Sequence, residues 1–344
     1  MNSLEMTFWQ RWLKYGGVYI FIIAALYGST YQQFRHFDIT DSRGASDAVG
    51  YVRMSYGEHS NGHKQFRIIV PRLAAAIRLV IVKIVPEITN YAPIDSLSFY
   101  IVNFFFSSLT AFIFFLFLQN LGFPFFLMLL GVYMFCASRL VVLATGTPLV
   151  DSVFYLAVAL LAFCIQRKNS ILLVVFFPFM LLCREAMLIY VGVVICEKAF
   201  RKWYVFFAIV LGFILYNIIR WQIGFSQESI NEGVVTDPIV QSLVFFSSFV
   251  FINLKRYLTL SGWHNLLCGF GLFIIFAIIG GMSHLKEKKY EIANSLWLFI
   301  PISLAFTLLS SNFGRMFFPT FVVVIPLVLI GVEWLYNQYW CEVK

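Results

Sequence analysis

Charged side chains are scarce in this chain of 344 residues, where Asp, Glu, Lys and Arg together make up 12%. That is about half the share usual in globular domains, while hydrophobic residues reach 60% and Phe alone occurs 40 times. A soluble fold of this length leaves much of its surface in water and cannot hide so much apolar area. The shortage of charge therefore excludes a soluble domain. It predicts a single integral membrane domain over residues 1–344 with an all-α fold.

Motifs for soluble cofactors are also missing. No phosphate-binding glycine loop, HExxH or GxSxG segment occurs, which disfavours a nucleotide-activated donor. The six cysteines have no metal or redox spacing, so neither a disulfide nor a thiolate metal site is predicted. His36, His59 and His63 share one polar stretch, but their spacing fits no helical ligand pair. We therefore expect no cofactor, with a divalent metal left open.

The net charge of +8 comes from short basic segments and not from a continuous stripe, which disfavours nucleic acid as a partner. Such segments are typical of cytoplasmic loops and of contact with anionic membrane lipids. Placing them in the cytoplasm puts both termini there, in what we expect to be a bacterial inner membrane. Arg11 and Lys14 precede the first apolar run, and no A-x-A-like cleavage site follows, which predicts a signal anchor.

Apolar runs predict a polytopic transmembrane helix bundle of about ten spans. They lie near Tyr15–Tyr31, Ser96–Leu118, Phe123–Leu143, Leu149–Gln166, Ile171–Cys183, Ala186–Cys196, Trp203–Arg220, Leu266–Met282, Ser295–Ser310 and Met316–Tyr336. Two outer loops are predicted at 32–66 and 221–265. The second contains an apolar piece, Ile239–Leu254, that we expect to be re-entrant or interfacial.

Residues 67–85 follow the first outer loop and carry Arg67, Arg72, Arg78 and Lys83. Four cations are costly in a spanning helix, at about 2.5 kcal/mol or more each near its centre. We therefore predict an amphipathic helix lying in the membrane interface, with a short span as the alternative.

Two predicted spans, Ile171–Cys183 and Ala186–Cys196, are too short to cross a bilayer, which needs about 20 residues. Either they form one long helix or they are a broken pair that meets at Arg184. One long helix would put the neighbouring basic loops on opposite sides of the membrane. The positive-inside rule therefore favours the broken pair.

This topology places the acidic and arginine motifs together on the outer face. The residues are Asp38, Asp41, Asp47, Arg67, Asp151, Arg184, Glu185 and Arg315. Ionisable groups within or beside membrane spans are expensive and are functional by default. Their shared location predicts one active site that opens to the outside.

The first outer loop offers Asp47, followed four residues later by Tyr51. A carboxylate just above the membrane can deprotonate an acceptor hydroxyl. Asp38 and Asp41 compete with Asp47 for this role. The alternative is a solvated loop with incidental charges.

Each of the other motifs also has a structural alternative. Asp151 is the last residue of the segment TGTPLVD. It either faces the site or stabilises the next helix by placing a negative charge at its positive N-terminal end. Arg184 and Glu185 either serve the site or form salt bridges that hold the bundle. Arg315 at the last span either binds an anionic group bidentately or reaches to lipid head groups.

Taken in order, these motifs resemble the GT-C superfamily of multi-spanning membrane glycosyltransferases, of the bacterial surface-glycan type. The resemblance rests on the acidic first outer loop, R-x3-P-x-L-A from Arg67, T-G-x3-x-D ending at Asp151, the intramembrane pair at Arg184, and the outward Arg315. It implies a polyprenyl-phosphate sugar as donor, entering laterally from the bilayer. A first-loop carboxylate would activate the acceptor or bind the donor, and basic residues would hold the lipid phosphate.

The resemblance implies a role for each candidate residue. The catalytic carboxylates would be Asp47, Asp151 and Glu185, with Asp47 as the base. The phosphate and donor would be bound by Arg67, Arg72, Arg184 and Arg315. Tyr51 and Asn312 would line the substrate site, and no metal ligand is assigned.

The function expected is transfer of a sugar from polyprenyl phosphate to an acceptor hydroxyl at the outer membrane face, in cell-envelope glycan biosynthesis. The partners would be the lipid-linked sugar, a glycan or lipid-linked acceptor, and membrane lipids. The alternatives are a lipid-linked glycan flippase or transporter, a glycan polymerase, and a non-enzymatic assembly subunit.

Overall fold

The computed structural model of the chain describes residues 8–38, 46–58, 67–85, 94–223, 250–310 and 312–340. Within these ranges the chain forms helices and their connections, and no strand is present. The all-α prediction is therefore confirmed. Asp41, His59, His63 and most of the apolar piece Ile239–Leu254 lie outside the described residues.

Sixteen α-helices are numbered here in chain order over the described residues. They are α1 Phe8–Arg35, α2 Ser46–Ser55, α3 Ile69–Ile84, α4 Ile94–Asn120, α5 Phe125–Cys136, α6 Arg139–Gly146, α7 Asp151–Arg167, α8 Ser170–Cys183, α9 Val191–Cys196, α10 Trp203–Ile223, α11 over 250–257, α12 Leu260–Leu267, α13 Phe273–Glu287, α14 Phe299–Thr307, α15 Phe313–Phe317 and α16 Phe321–Trp340. Short 3-10 helices join several of them: Glu185–Leu188, Lys198–Phe200, Asn294–Leu298 and Phe318–Thr320.

Two stretches are long and apolar enough to cross a membrane by themselves, namely α4 and the continuous run Phe313–Tyr339. The bent pair α5 and α6 adds a third if both helices belong to one span. The chain thus has two to three clear candidate spans among its described residues, and the bundle of about ten spans stays a prediction.

The predicted span Phe123–Leu143 is not one straight helix. The chain bends by 56° between α5 and α6. Ser138 is extended at this bend, and its side chain accepts a hydrogen bond from the backbone N–H of Val141. A serine cap satisfies one of the unpaired N–H groups at a helix start, so it begins a new helix here.

The helix also breaks at Arg184, as the broken-pair alternative requires. Arg184 is extended, with φ −166° and ψ 140°, so that α8 ends at Cys183. A 3-10 turn, Glu185–Leu188, then leads into α9. Backbone that leaves a helix at membrane depth needs other polar groups to satisfy it, and the Arg184 carbonyl accepts from the N–H of Met187.

The two predicted outer loops contain helices that we did not predict. In the first loop, α2 buries Ala48, Tyr51, Val52 and Ser55, which recur at the spacing of one helical face. In the second, α11 and α12 occupy its C-terminal part. Thr259 caps α12 by accepting from the N–H of Gly262.

The centre of the protein is α7, whose residues from Asp151 to Ile165 are all buried. It packs against α4 on one side and α8 on another. Gln166 and Arg167 lie at the opposite end of the helix from Asp151. At 1.5 Å per residue, the two ends of α7 are about 25 Å apart.

Helices α13 and α16 pack most closely at two glycines. A Cβ on Gly280 would fall on the carbonyl oxygen of Leu327, and one on Gly331 would fall on that of Phe276. Small residues of this kind let two helix backbones approach each other within a membrane.

We expect Gly280→Ala to destabilise the protein by about 1–3 kcal/mol, because the added methyl group forces α13 away from α16. Gly281→Ala is the matched control, since no atom lies within 4 Å of its Cβ position. There the better helix propensity of alanine should leave stability unchanged or slightly raised. Thermal unfolding of the purified protein in detergent measures both, and equal effects would contradict the close crossing.

Candidate active site

Asp151 is the residue around which the candidate site is built. It begins α7, is only 1% exposed, and follows the turn TGTPLVD. Asn103 on α4 holds this turn, because its amide donates to the carbonyl oxygens of Thr147 and Leu149, each at 3.0 Å. Its amide oxygen accepts from the hydroxyl of Ser152 at 2.5 Å. These bonds fix the N-terminal end of α7 against α4.

Arg184 reaches Asp151 from the break between α8 and α9. Its Nη1 donates to Asp151 Oδ1 at 2.5 Å, and both side chains are buried. The guanidinium also lies over the ring of Phe154, 5.1 Å from the ring centre. The extended backbone at Arg184 thus places a buried cation against a buried anion.

Arg315 approaches the same carboxylate from the other side. Its Nη2 donates to Asp151 Oδ2 at 2.5 Å, and its Nη1 contacts Asp47 Oδ2 at 3.2 Å. Arg315 lies on the short helix α15, which Asn312 caps by accepting from the N–H of Arg315. The second carboxylate oxygen of Asp151 is therefore also occupied by a guanidinium group.

Asp47 and Tyr51 enter the cluster one turn apart on α2. Asp47 is 21% exposed, whereas Tyr51 is fully buried. Arg67 Nη1 donates to the Tyr51 hydroxyl at 2.8 Å, and the charges of Asp151, Arg184 and Asp47 also act on this hydroxyl. Burial raises the pKa of Tyr51 above its usual value. The hydroxyl therefore stays protonated and keeps a proton to donate.

A second ion pair fixes α2 from its other end. Arg78 Nη1 donates to Asp95 Oδ1 and to Ser55 Oγ, at 3.0 and 3.2 Å. Its guanidinium lies 3.6 Å from the ring centre of Tyr56, whose hydroxyl donates to Asp95. These contacts join α2, α3 and the start of α4. They hold the helix that carries Asp47 in its place.

The structure brings together most of the sequence-predicted residues. The cluster, called the Asp151 cluster below, consists of Asp47, Tyr51, Arg67, Asp151, Arg184 and Arg315. Its described side chains comprise three guanidinium groups and two carboxylates. Guanidinium groups recognise anions such as phosphate bidentately.

Two other predicted residues lie on the surface, and a third has a side chain outside the described part of the structure. Arg72 is exposed on α3 and has no ion-pair partner among the described residues. Asp38 is exposed just after α1. The backbone of Glu185 begins the 3-10 turn after Arg184, and its side chain is outside the described part of the structure.

Asn312 lies at the rim of a neighbouring cavity. This cavity has a volume of about 350 Å³ and is lined by Arg256, Thr259, Ser261, Gly262, Asn265, Asn312 and Phe313. Asn312 therefore connects the cavity to Arg315, whose helix it caps. Sequence analysis predicted Asn312 as a lining residue but not this cavity, because α11 and α12 were taken as loop.

Tyr155 is a member of the site that sequence analysis missed. It follows Asp151 by four residues on α7 and so lies on the same face of that helix. The charges of Asp151, Arg315 and Arg184 act on its hydroxyl. The spacing of four residues from an intramembrane carboxylate was the available signal.

Three basic segments predicted to be cytoplasmic meet at the opposite end of α7. A cavity of about 1140 Å³ there is lined by Lys168, Lys198 and Lys288, together with residues that include Asn120, Gln166, Glu197 and His284. Asn120 is the last residue of α4. Asp95, the second residue of that helix, lies at its other end and pairs with Arg78. The basic segments and the Asp151 cluster are therefore at opposite ends of the helices.

Comparison of the chain with protein-family models, with curated proteins and with solved structures finds no match.

Replacing Asp151 should be far more damaging than replacing an exposed ion-pair partner. We expect Asp151→Asn to destabilise the protein by about 3–5 kcal/mol, because buried Arg184 and largely buried Arg315 lose their shared counter-charge. Lys289→Met breaks the pair with Glu333, in which Lys289 is 53% exposed, and should cost about 1 kcal/mol or less. Thermal unfolding in detergent measures both. Similar small losses for the two variants would contradict a buried charge network.

Proposed function

We propose that the protein is a membrane glycosyltransferase of the GT-C kind, which moves a sugar from a polyprenyl-phosphate donor to an acceptor hydroxyl at the outer membrane face. The observation that supports this most is the position of Arg315 between two carboxylates, Asp47 and Asp151. These come from distant parts of the chain, and the sequence resemblance assigned all three to one site.

The two carboxylates bound to Arg315 differ in a way that suits donor binding. Asp151 is 2.5 Å from Arg315, is buried, and is also held by Arg184. Asp47 is 3.2 Å from Arg315 and partly exposed. An incoming phosphate that binds Arg315 competes with Asp47 for Nη1, because this contact is longer and more exposed to solvent than the contact with Asp151. Asp47 is the carboxylate it displaces, while Asp151 keeps the arginine in position.

Displacement releases Asp47 from its contact with Arg315. Its carboxylate can then turn to the acceptor hydroxyl and take the proton of that group. In this proposal Asp47 acts as the base when a donor phosphate is bound.

The transfer step then follows as a single displacement. The acceptor oxygen forms a bond to the anomeric carbon as its proton passes to Asp47. The bond from the anomeric carbon to the phosphate oxygen breaks, and its electron pair leaves with polyprenyl phosphate. Attack opposite the leaving group inverts the anomeric configuration. Arg315 and Arg184 stabilise the charge that develops on the phosphate.

The roles of the remaining residues follow from their contacts. Both oxygens of Asp151 are held by arginines, so Asp151 positions these cations and does not accept the proton. Arg67 keeps Tyr51 beside Asp47, where the buried hydroxyl lines the acceptor side. In this proposal the bundle of about ten spans has both termini in the cytoplasm, and the basic segments at the far end of α7 support that orientation.

We expect Asp47→Asn to lower sugar transfer by at least about 100-fold, since the general base is lost, while donor binding is retained. Glu333→Gln is the matched control, because it removes a partly buried ion-paired carboxylate at the opposite end of the bundle. Turnover of a radiolabelled polyprenyl-phosphate sugar by each variant in reconstituted vesicles measures the effect. Near-normal transfer by Asp47→Asn would remove Asp47 from the chemistry.

The same vesicles separate transfer from transport. A flippase would need Arg315 for binding but would still move the lipid-linked glycan between leaflets in the Asp47→Asn variant. Unchanged translocation in that variant, together with no transfer by the wild type, would overturn the proposed reaction.

A further inference from the structure

The hydroxyl of Tyr155 is buried and has no hydrogen-bond partner among the described residues. The residue is 1% exposed. A buried hydroxyl without a partner loses its bonds to water and gains nothing in return, so it destabilises the resting protein. Native proteins satisfy nearly all such groups, and an exception calls for a specific reason.

Tyr190 shows how the same side chain is normally accommodated in this bundle. It is equally buried, and its hydroxyl bonds to the hydroxyl of Ser303 at 2.7 Å. Its ring stacks on Phe299 at 4.8 Å between centres. Of these two buried tyrosines, Tyr190 therefore has a polar partner for its hydroxyl and Tyr155 has none within the described part of the chain.

Tyr155 lies beside the segment that carries Arg315. Its ring packs edge-on against Phe318, 5.0 Å between centres, three residues after Arg315. One turn before Tyr155 on α7, Asp151 binds Arg315 directly. Tyr155 on α7 therefore faces the segment that carries Arg315.

A second buried donor without a partner belongs to Arg315 itself. Its Nε is inaccessible to solvent and makes no hydrogen bond within the described residues. The two terminal nitrogens of the same group are occupied by Asp151 and Asp47. The charge of Arg315 also acts on the Tyr155 hydroxyl. Two unsatisfied donors, one of them charged, therefore occur in the same part of the core.

We propose that Tyr155 and the Nε of Arg315 together form the binding point for a phosphate oxygen. Both groups can donate, and one of them belongs to a guanidinium group, which binds charged oxygen acceptors most strongly. The acceptor that satisfies them is therefore an oxyanion and not a neutral group. This inference rests on the proposed function, because it names where the donor phosphate binds. It adds Tyr155 as a residue that contacts the phosphate, and it gives both buried donors an acceptor.

The test compares Tyr155→Phe with Tyr190→Phe in the full chain purified in detergent. Thermal unfolding and phosphate binding are measured with three probes: citronellyl phosphate, inorganic phosphate and the neutral alcohol citronellol. The first two separate a lipid phosphate from a free phosphate. The alcohol measures binding through the hydrocarbon chain alone.

We expect Tyr155→Phe to unfold at the same or a higher temperature than the wild type, because it removes a hydroxyl that lacks a partner. Its affinity for citronellyl phosphate should fall by about tenfold or more, as expected for one lost hydrogen bond to a charged group. Tyr190→Phe should behave in the opposite way, with a lower unfolding temperature and unchanged affinity. Citronellol should bind both variants and the wild type alike.

Three results would overturn the inference. The first is an unchanged affinity for both phosphate probes in Tyr155→Phe, and the second is no phosphate binding by the wild type. The third is a fall in unfolding temperature as large as that of Tyr190→Phe, which would mean that the hydroxyl has a partner at rest. A wild type that binds citronellyl phosphate through Tyr155 but transfers no sugar would refute the proposed reaction and leave this binding point intact.

Discussion

The carboxylate of Asp151, shared between two arginines, is the interaction on which the rest of the site depends. Arg184 and Arg315 are cations in an apolar core, and without a common anion they would repel each other as well as lack solvation. Arg184 reaches this anion from the break at the end of α8, and Arg315 reaches it from the first turn of the helical run that continues into α16. The charge of Asp151 thus compensates cations that come from two distant parts of the chain.

The two carboxylates of the cluster differ in how firmly they are held. Asp151 has both oxygens occupied and lies at the fixed end of α7, which Asn103 ties to α4. Asp47 has a longer contact with Arg315 and is partly exposed. In the proposed reaction the phosphate displaces Asp47 from Arg315 and leaves Asp151 in place. The arginine then keeps its position, and no large movement of the helices is needed.

The positions of the principal charges could be predicted from the sequence, but their partners could not. A lone carboxylate or arginine in an apolar run is conspicuous, which is how Asp151, Arg184 and Arg315 were found. Nothing in the sequence says that Asp47 meets Arg315, because that contact depends on the packing of α2, which we took as loop. Arg72 was assigned to the donor through the resemblance alone, and it lies exposed on α3. Tyr155 escaped notice because an aromatic residue in an apolar helix is usually core.

The two ends of the bundle both carry positive charge, so a count of charges does not distinguish them. The types of cationic residue at each end do distinguish them. At the far end of α7 the cations that line the cavity are lysines, exposed on short connections, which is the kind of charge that topology rules count. At the Asp151 cluster they are arginines: Arg67 and Arg184 are buried, and carboxylates hold Arg184 and Arg315. Guanidinium is less strongly hydrated than ammonium and binds carboxylate or phosphate through two bonds. It can therefore be retained on the outer side of a membrane wherever an anion is built in or brought in by a substrate.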